Sequence, residues 1–141
     1  MNTTGNTDNI RSICHRLITV VPGPNPWRWD EEFNVARIVF RKSGADIVLS
    51  ELKQIFEHCY DFSTIERASA DVDRFINSIF GIIPGQMVFT SNTSDGLILF
   101  AAWWPWGNEM DISLRVGLYS AANPSKDKSG LEKLLNEWFH L

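Results

Sequence analysis

The sequence predicts a single α+β domain in which amphipathic helices cover one face of a small antiparallel sheet. Three observations carry that expectation. Apolar residues fall at helical spacing through the middle of the chain, the period changes from about 3.6 to 2 near residue 86, and helical spacing returns at the C-terminal end. A chain of 141 residues is shorter than the length at which domains split, yet long enough to bury a real core. The expected organisation is a flexible tail over 1–9 and one domain over 10–141.

Met1–Asn9, MNTTGNTDN, is polar, with Asp8 its one charge. It lacks the cationic start and apolar run of a secretory leader and reads as a frayed tail. Ile10, Ile13, Cys14 and Leu17 then have helical spacing, whereas Ile18–Val21 looks extended. PGPNP, residues 22–26, ends any helix with three prolines in five positions. The following stretch, WRWDEEFNVARIVF, leaves two readings open. Asp30 caps a helix with Glu31 and Glu32 in its first turn, or Phe33–Phe40 is a strand, which its valine, isoleucine and phenylalanine favour.

Leu49, Leu52, Ile55, Phe56 and Cys59 share one face of a helix predicted over about 47–60. Ser63 and Glu66 form a capping-box pattern for a second helix over about 64–80, with Ile65, Ala68, Val72, Phe75, Ile76 and Ile79 inward. Gly81 and Pro84 end it. A meander over about 86–120 follows, with strands Gln86–Thr90, Leu97–Trp104 and Met110–Ser120 and a turn at SNTSDG. The sheet has three strands, or four if 33–40 joins it. After the polar AANPSKDKSG linker, Ser129 and Glu132 open a last helix over about 130–140, with Leu131, Leu134, Leu135 and Trp138 facing inward.

The third meander strand alternates, with Ile112, Leu114, Val116 and Leu118 on one face and Asp111, Ser113, Arg115, Gly117 and Tyr119 on the other. Leu97–Trp104 is apolar on both faces. Gly107-Asn108 suits a two-residue turn, which would set Trp106 opposite Glu109, Trp104 opposite Asp111, Ala102 opposite Ser113, Phe100 opposite Arg115 and Ile98 opposite Gly117. Leu99, Ala101 and Trp103 then join the helix-covered face. Trp104, Trp106, Phe100, Glu109, Asp111, Ser113, Arg115 and Tyr119 share the reverse face, where large rings beside a few charges make a candidate partner-binding patch. The segment carrying Trp27 and Trp29 is the element that would cover it.

The formal charge is −4, and the acid gathers in residues 43–85, which hold three basic and seven acidic side chains. That balance argues against nucleic acid, whose phosphates call for a basic face. Glu51, Glu57, Asp61, Glu66, Asp71 and Asp73 are candidates for steering a basic partner. No stretch approaches the roughly 20 apolar residues that span a bilayer, so no membrane association is expected and the cytoplasm is the expected compartment. Cys14-His15 and His58-Cys59 place potential ligands side by side, but neighbours on a helix or strand point apart. Neither a metal site nor a disulfide is expected.

The chain contains no GxSxG, P-loop, GxGxxG or HExxH pattern, so neither a cofactor nor catalysis is expected. Cys59, with His58 and Asp61 nearby, would be the one thiol nucleophile to consider, but helical spacing assigns it to packing. The expectation is a non-enzymatic protein that blocks or escorts another protein, in the style of bacterial toxin-immunity proteins and phage-encoded inhibitors. A small-molecule domain with an aromatic pocket, and a self-associating subunit or homodimer, are the alternatives.

Overall fold

Among the described residues six strands, rather than three or four, form one antiparallel sheet in the order β1-β2-β6-β5-β4-β3. The computed structural model describes residues 3–21, 25–68, 76, 82, 84–91, 97–107, 110–120 and 128–141. The strands are β1 (Arg28–Asp30), β2 (Val35–Arg41), β3 (His58–Asp61), β4 (Met87–Thr90), β5 (Leu97–Pro105) and β6 (Asp111–Ser120). Among the described residues there are three α-helices, α1 (Thr3–Val20), α2 (Ala45–Ile55) and α3 (Lys128–Trp138). No described helix is long and apolar enough to cross a membrane.

The two additional strands come from segments whose pairing leaves no mark in periodicity. Asp30 does not cap a helix. Its Oδ1 accepts the backbone N–H of Glu32 at 2.9 Å and of Phe33 at 3.2 Å, closing a turn in which Asn34 takes φ 55°, a conformation asparagine tolerates. β1 and β2 pair on either side of that turn, Asp30 against Val35. The strand reading of Phe33–Phe40 therefore holds, starting two residues later.

The helix expected over 47–60 stops at Ile55, because Phe56 turns extended (ψ 143°) and His58–Asp61 pairs with Thr90–Met87. The edge of β4 supplies hydrogen-bond partners that the apolar spacing cannot reveal. Cys59 consequently lies on β3 and is exposed, not packed inward on a helix. At the other end of the chain, α1 begins at Thr3, so the polar run assigned to a tail carries its first turns instead. Burial of Ile10, Cys14 and Leu17 at helical spacing anchors this helix; tertiary packing overrides weak local propensity.

The main core lies between the sheet and the three helices. Ile38, Phe40, Phe89, Leu99, Trp103, Leu114 and Val116 meet Cys14 and Leu17 of α1, Val48 and Leu52 of α2, and Leu135 and Trp138 of α3. Trp27 and Trp29 belong to this cluster and do not cross the reverse face. The reverse face is not bare. Val35, Val88, Ile98 and Phe100 form a second cluster there with Ile76, and Ile65, Ala68 and Ile82 pack against it. The one-sided covering expected from sequence is therefore corrected. Most of the helix predicted over 64–80 lies outside the described residues; Ile65–Arg67 is a 3₁₀ turn.

Trp104 pairs with Ser113, Ala102 with Arg115, Phe100 with Gly117 and Ile98 with Tyr119. This register is two residues away from the expected one, and the Trp106 N–H donates to the Asp111 carbonyl at 2.9 Å, leaving residues 107–110 as the connection. The side-chain period is two, so the slip preserves every face assignment. Gly117 favours this register. A Cβ there would lie 2.8 Å from Val35 Cγ1 and within the Phe100 ring's contact distance, so only glycine leaves room for Phe100 to cover it.

Candidate functional site

The second cluster runs across the reverse face from Tyr60 on β3 to Val35 on β2, and the site forms at its border, where Phe33 packs against it. The β1–β2 turn folds back over the sheet, placing the Phe33 ring 5.7 Å from Trp104. Arg115 packs against both rings, its guanidinium carbon 4.5 Å from the Trp104 ring centre and 5.4 Å from that of Phe33. Arg115 Nε donates to Asp30 Oδ2 at 2.9 Å, and Arg37 Nη1 approaches the same oxygen at 3.7 Å. Two guanidiniums on neighbouring strands, paired in register, thus share one buried carboxylate.

Burial of Asp30 works against its charge. The Arg115 hydrogen bond, the Phe33 and Glu32 N–H groups and the Arg115 charge together outweigh it, holding the carboxyl below its ordinary value. The same turn that fixes the hairpin therefore fixes Arg115. On the β5 side, the Trp106 indole N–H donates to Ser113 Oγ, so the outermost ring is tethered to the sheet. Glu32, Phe33, Trp104, Pro105, Trp106, Ser113 and Arg115 line a cleft of about 410 Å³, within the range of small-ligand sites.

Of the residues the sequence assigned to this face, Trp104, Trp106, Ser113 and Arg115 are brought together. Asp111 lies at the border, 3.8 Å from Arg41. Phe100 is buried in the second cluster and Tyr119 is half-buried against it, so neither belongs to the open surface. Glu109 lies outside the described residues. Asp30, Glu32, Phe33 and Pro105 are not assigned to this face by the sequence; Asp30 with Asn34 four residues later is the turn signal that would have found the hairpin.

The described steering residues lie on several elements. Glu51 on α2 pairs with Arg16 of α1 at 3.0 Å. Asp61 closes a turn by accepting hydrogen bonds from Ser63 and Thr64, while Glu57 and Glu66 are exposed. Asp71 and Asp73 lie outside the described residues. His15 stacks on His140 at 5.7 Å and His58 on Tyr60 at 6.2 Å; neither pair lines the cleft. Among the described residues, no group of three or more histidine, cysteine, aspartate or glutamate side chains is placed to hold a metal ion. Burial pushes the Cys14 thiol up to about 12, which leaves it protonated and unreactive. Compared with protein-family models, curated proteins and solved structures, the chain matches none of them.

Proposed function

We propose that this protein is a non-enzymatic binding module that blocks or escorts a partner protein, docking through the end of the sheet that carries Trp104 and Trp106. The observation that carries this reading is where the exposed apolar side chains fall. Among the described residues the exposed large hydrophobics are Ile47, Phe62, Trp106, Met110 and Leu141. Trp106 and Met110 flank the β5–β6 connection. Ile47 is in the first turn of α2, just after β2 ends with Arg41 opposite Asp111. The Lys42 N–H also donates to the Met110 carbonyl at 2.8 Å. Phe62 follows Asp61, which pairs with Met87, itself opposite Trp103.

Four of these five side chains therefore gather at one end of one sheet. Clustered exposed apolar area is unusual on a solitary monomer and common at interfaces. The two indoles suit the role because the hydrogen bond and the Arg115 contact hold them in place before binding, so little side-chain freedom is lost on docking. The net negative charge favours a basic partner over long range.

Replacing Trp106 with alanine is expected to weaken the complex by about 2 kcal/mol, the scale of an interface hot spot, and to lower folding stability by about 1 kcal/mol, because the buried Ser113 hydroxyl loses its indole donor. Affinity capture from the source cell, comparing parent and Trp106→Ala baits by quantitative mass spectrometry, tests it. A partner recovered equally by both baits removes this end of the sheet from consideration.

A further inference from the structure

Arg115 is 9% exposed, yet it uses only Nε for a hydrogen bond among the described residues, to Asp30. Neither of its Nη atoms is among the buried side-chain atoms left without a partner, and the residue lines the cleft. The two Nη groups therefore reach the cleft rather than a sealed interior. A guanidinium fork held from behind by a carboxylate and packed against a pair of rings is pre-oriented for a planar, two-oxygen acceptor.

We propose that the cleft recognises a carboxylate side chain of the partner protein, flanked by an aromatic or aliphatic residue that fills the space beside Trp104 and Trp106. This deepens the docking reading above and rests on it. Charge complementarity supports the choice. Arg37 and Arg115 share Asp30, leaving one positive charge in excess behind the cleft floor. Glu32, exposed at the mouth, limits what is accepted. A phosphate dianion would meet one guanidinium and one repelling carboxylate, whereas phosphate sites gather several donors. A second cation would find the Trp104 ring already occupied by Arg115 and would face a buried positive charge, which acts more strongly than the solvated Glu32. The cleft far exceeds a carboxylate in volume, and its Trp104, Trp106 and Phe33 walls call for an apolar neighbour.

The test titrates the ¹⁵N-labelled protein with acetyl-Trp-Asp-amide, acetyl-Trp-Asn-amide and inorganic phosphate, following the Arg115 Nε–H and the tryptophan indole N–H resonances. The aspartate peptide is expected to shift the Arg115 and Trp106 signals, with affinity at least ten-fold above the asparagine peptide, and phosphate to move neither. Equal affinity for the two peptides, or displacement of the aspartate peptide by phosphate, overturns the assignment. Arg115→Lys keeps the charge and removes the fork, and at least a ten-fold loss is expected; unchanged affinity overturns the proposal.

Arg115→Lys also disturbs the Asp30 contact, so Glu32→Gln on the exposed turn provides a variant without that burden. It is expected to bind the aspartate peptide two- to five-fold more tightly, and no gain counts against the carboxylate. If the peptides fail while a captured partner is still lost on Trp106→Ala, the carboxylate assignment falls and the docking face stands. If the peptides behave as expected but the captured partner is indifferent to Trp106→Ala, the docking face falls instead, and with it the assignment of the carboxylate to a partner protein.

Discussion

At the scale of single residues, Asp30 does the most with the least exposure. One carboxylate caps a turn with Oδ1 and anchors Arg115 with Oδ2, joining the geometry of the hairpin to that of the cleft. Arg115→Met leaves that buried charge with the two turn N–H groups and the longer Arg37 contact, and a loss of about 3 kcal/mol is expected in urea unfolding. Adding Asp30→Asn should recover part of it, because the amide oxygen still accepts the two turn N–H groups. The carboxyl is held below its ordinary value in the folded chain, so its contribution is present above the usual carboxylate range and is lost as pH falls through the lowered value. Asp30→Asn should remove that component from the acid-unfolding profile. Cys14 acts at the opposite extreme of pH. The unfolded chain releases the thiol proton near 9 and the folded chain keeps it to about 12, so stability should decline across that window. Cys14→Ala should flatten the decline. The indoles and Arg115 were legible because alternation along β6 assigns faces; Asp30 and Phe33 were not, because a turn that returns over a sheet carries no period.

At the scale of elements, the outcome depends on how much of the information is local. α3 and the strands β4, β5 and β6 stand close to where spacing and turn residues put them. The end of α2 and the existence of β3 do not, since both are decided by an unpaired β4 edge donating and accepting hydrogen bonds along 58–61. The two-residue register slip has the same character: a Gly-Asn pair is a good tight turn, but Phe100 settling over Gly117 outweighs it. Gly117→Ala should therefore destabilise by about 2 kcal/mol, the scale of overpacking a filled core, readable as a lower urea midpoint with unchanged slope. Substituting alanine at Gly107, where an added Cβ meets nothing within 4 Å, should cost far less.

For the whole molecule, the sequence conveyed the layered α+β plan and one helix-covered face, but not that Ile65, Ala68, Ile76 and Ile82 supply cover to the reverse side. An apolar run such as β5, with hydrophobic side chains on both faces, is the physical hint: a strand that is greasy twice over asks for two coverings. Among the described residues, what stays uncovered on that side is then narrow, confined to one end, and built from rings already fixed in place. The strand order has a temporal consequence. The central β6, which joins the N-terminal hairpin to the rest, is translated after every other strand, so β2 and β5 wait with naked edges until roughly residue 120 has left the ribosome. Nascent chains stalled before that point should be digested readily by protease and those stalled well beyond it should resist, with protection arriving in a single late step rather than growing with length.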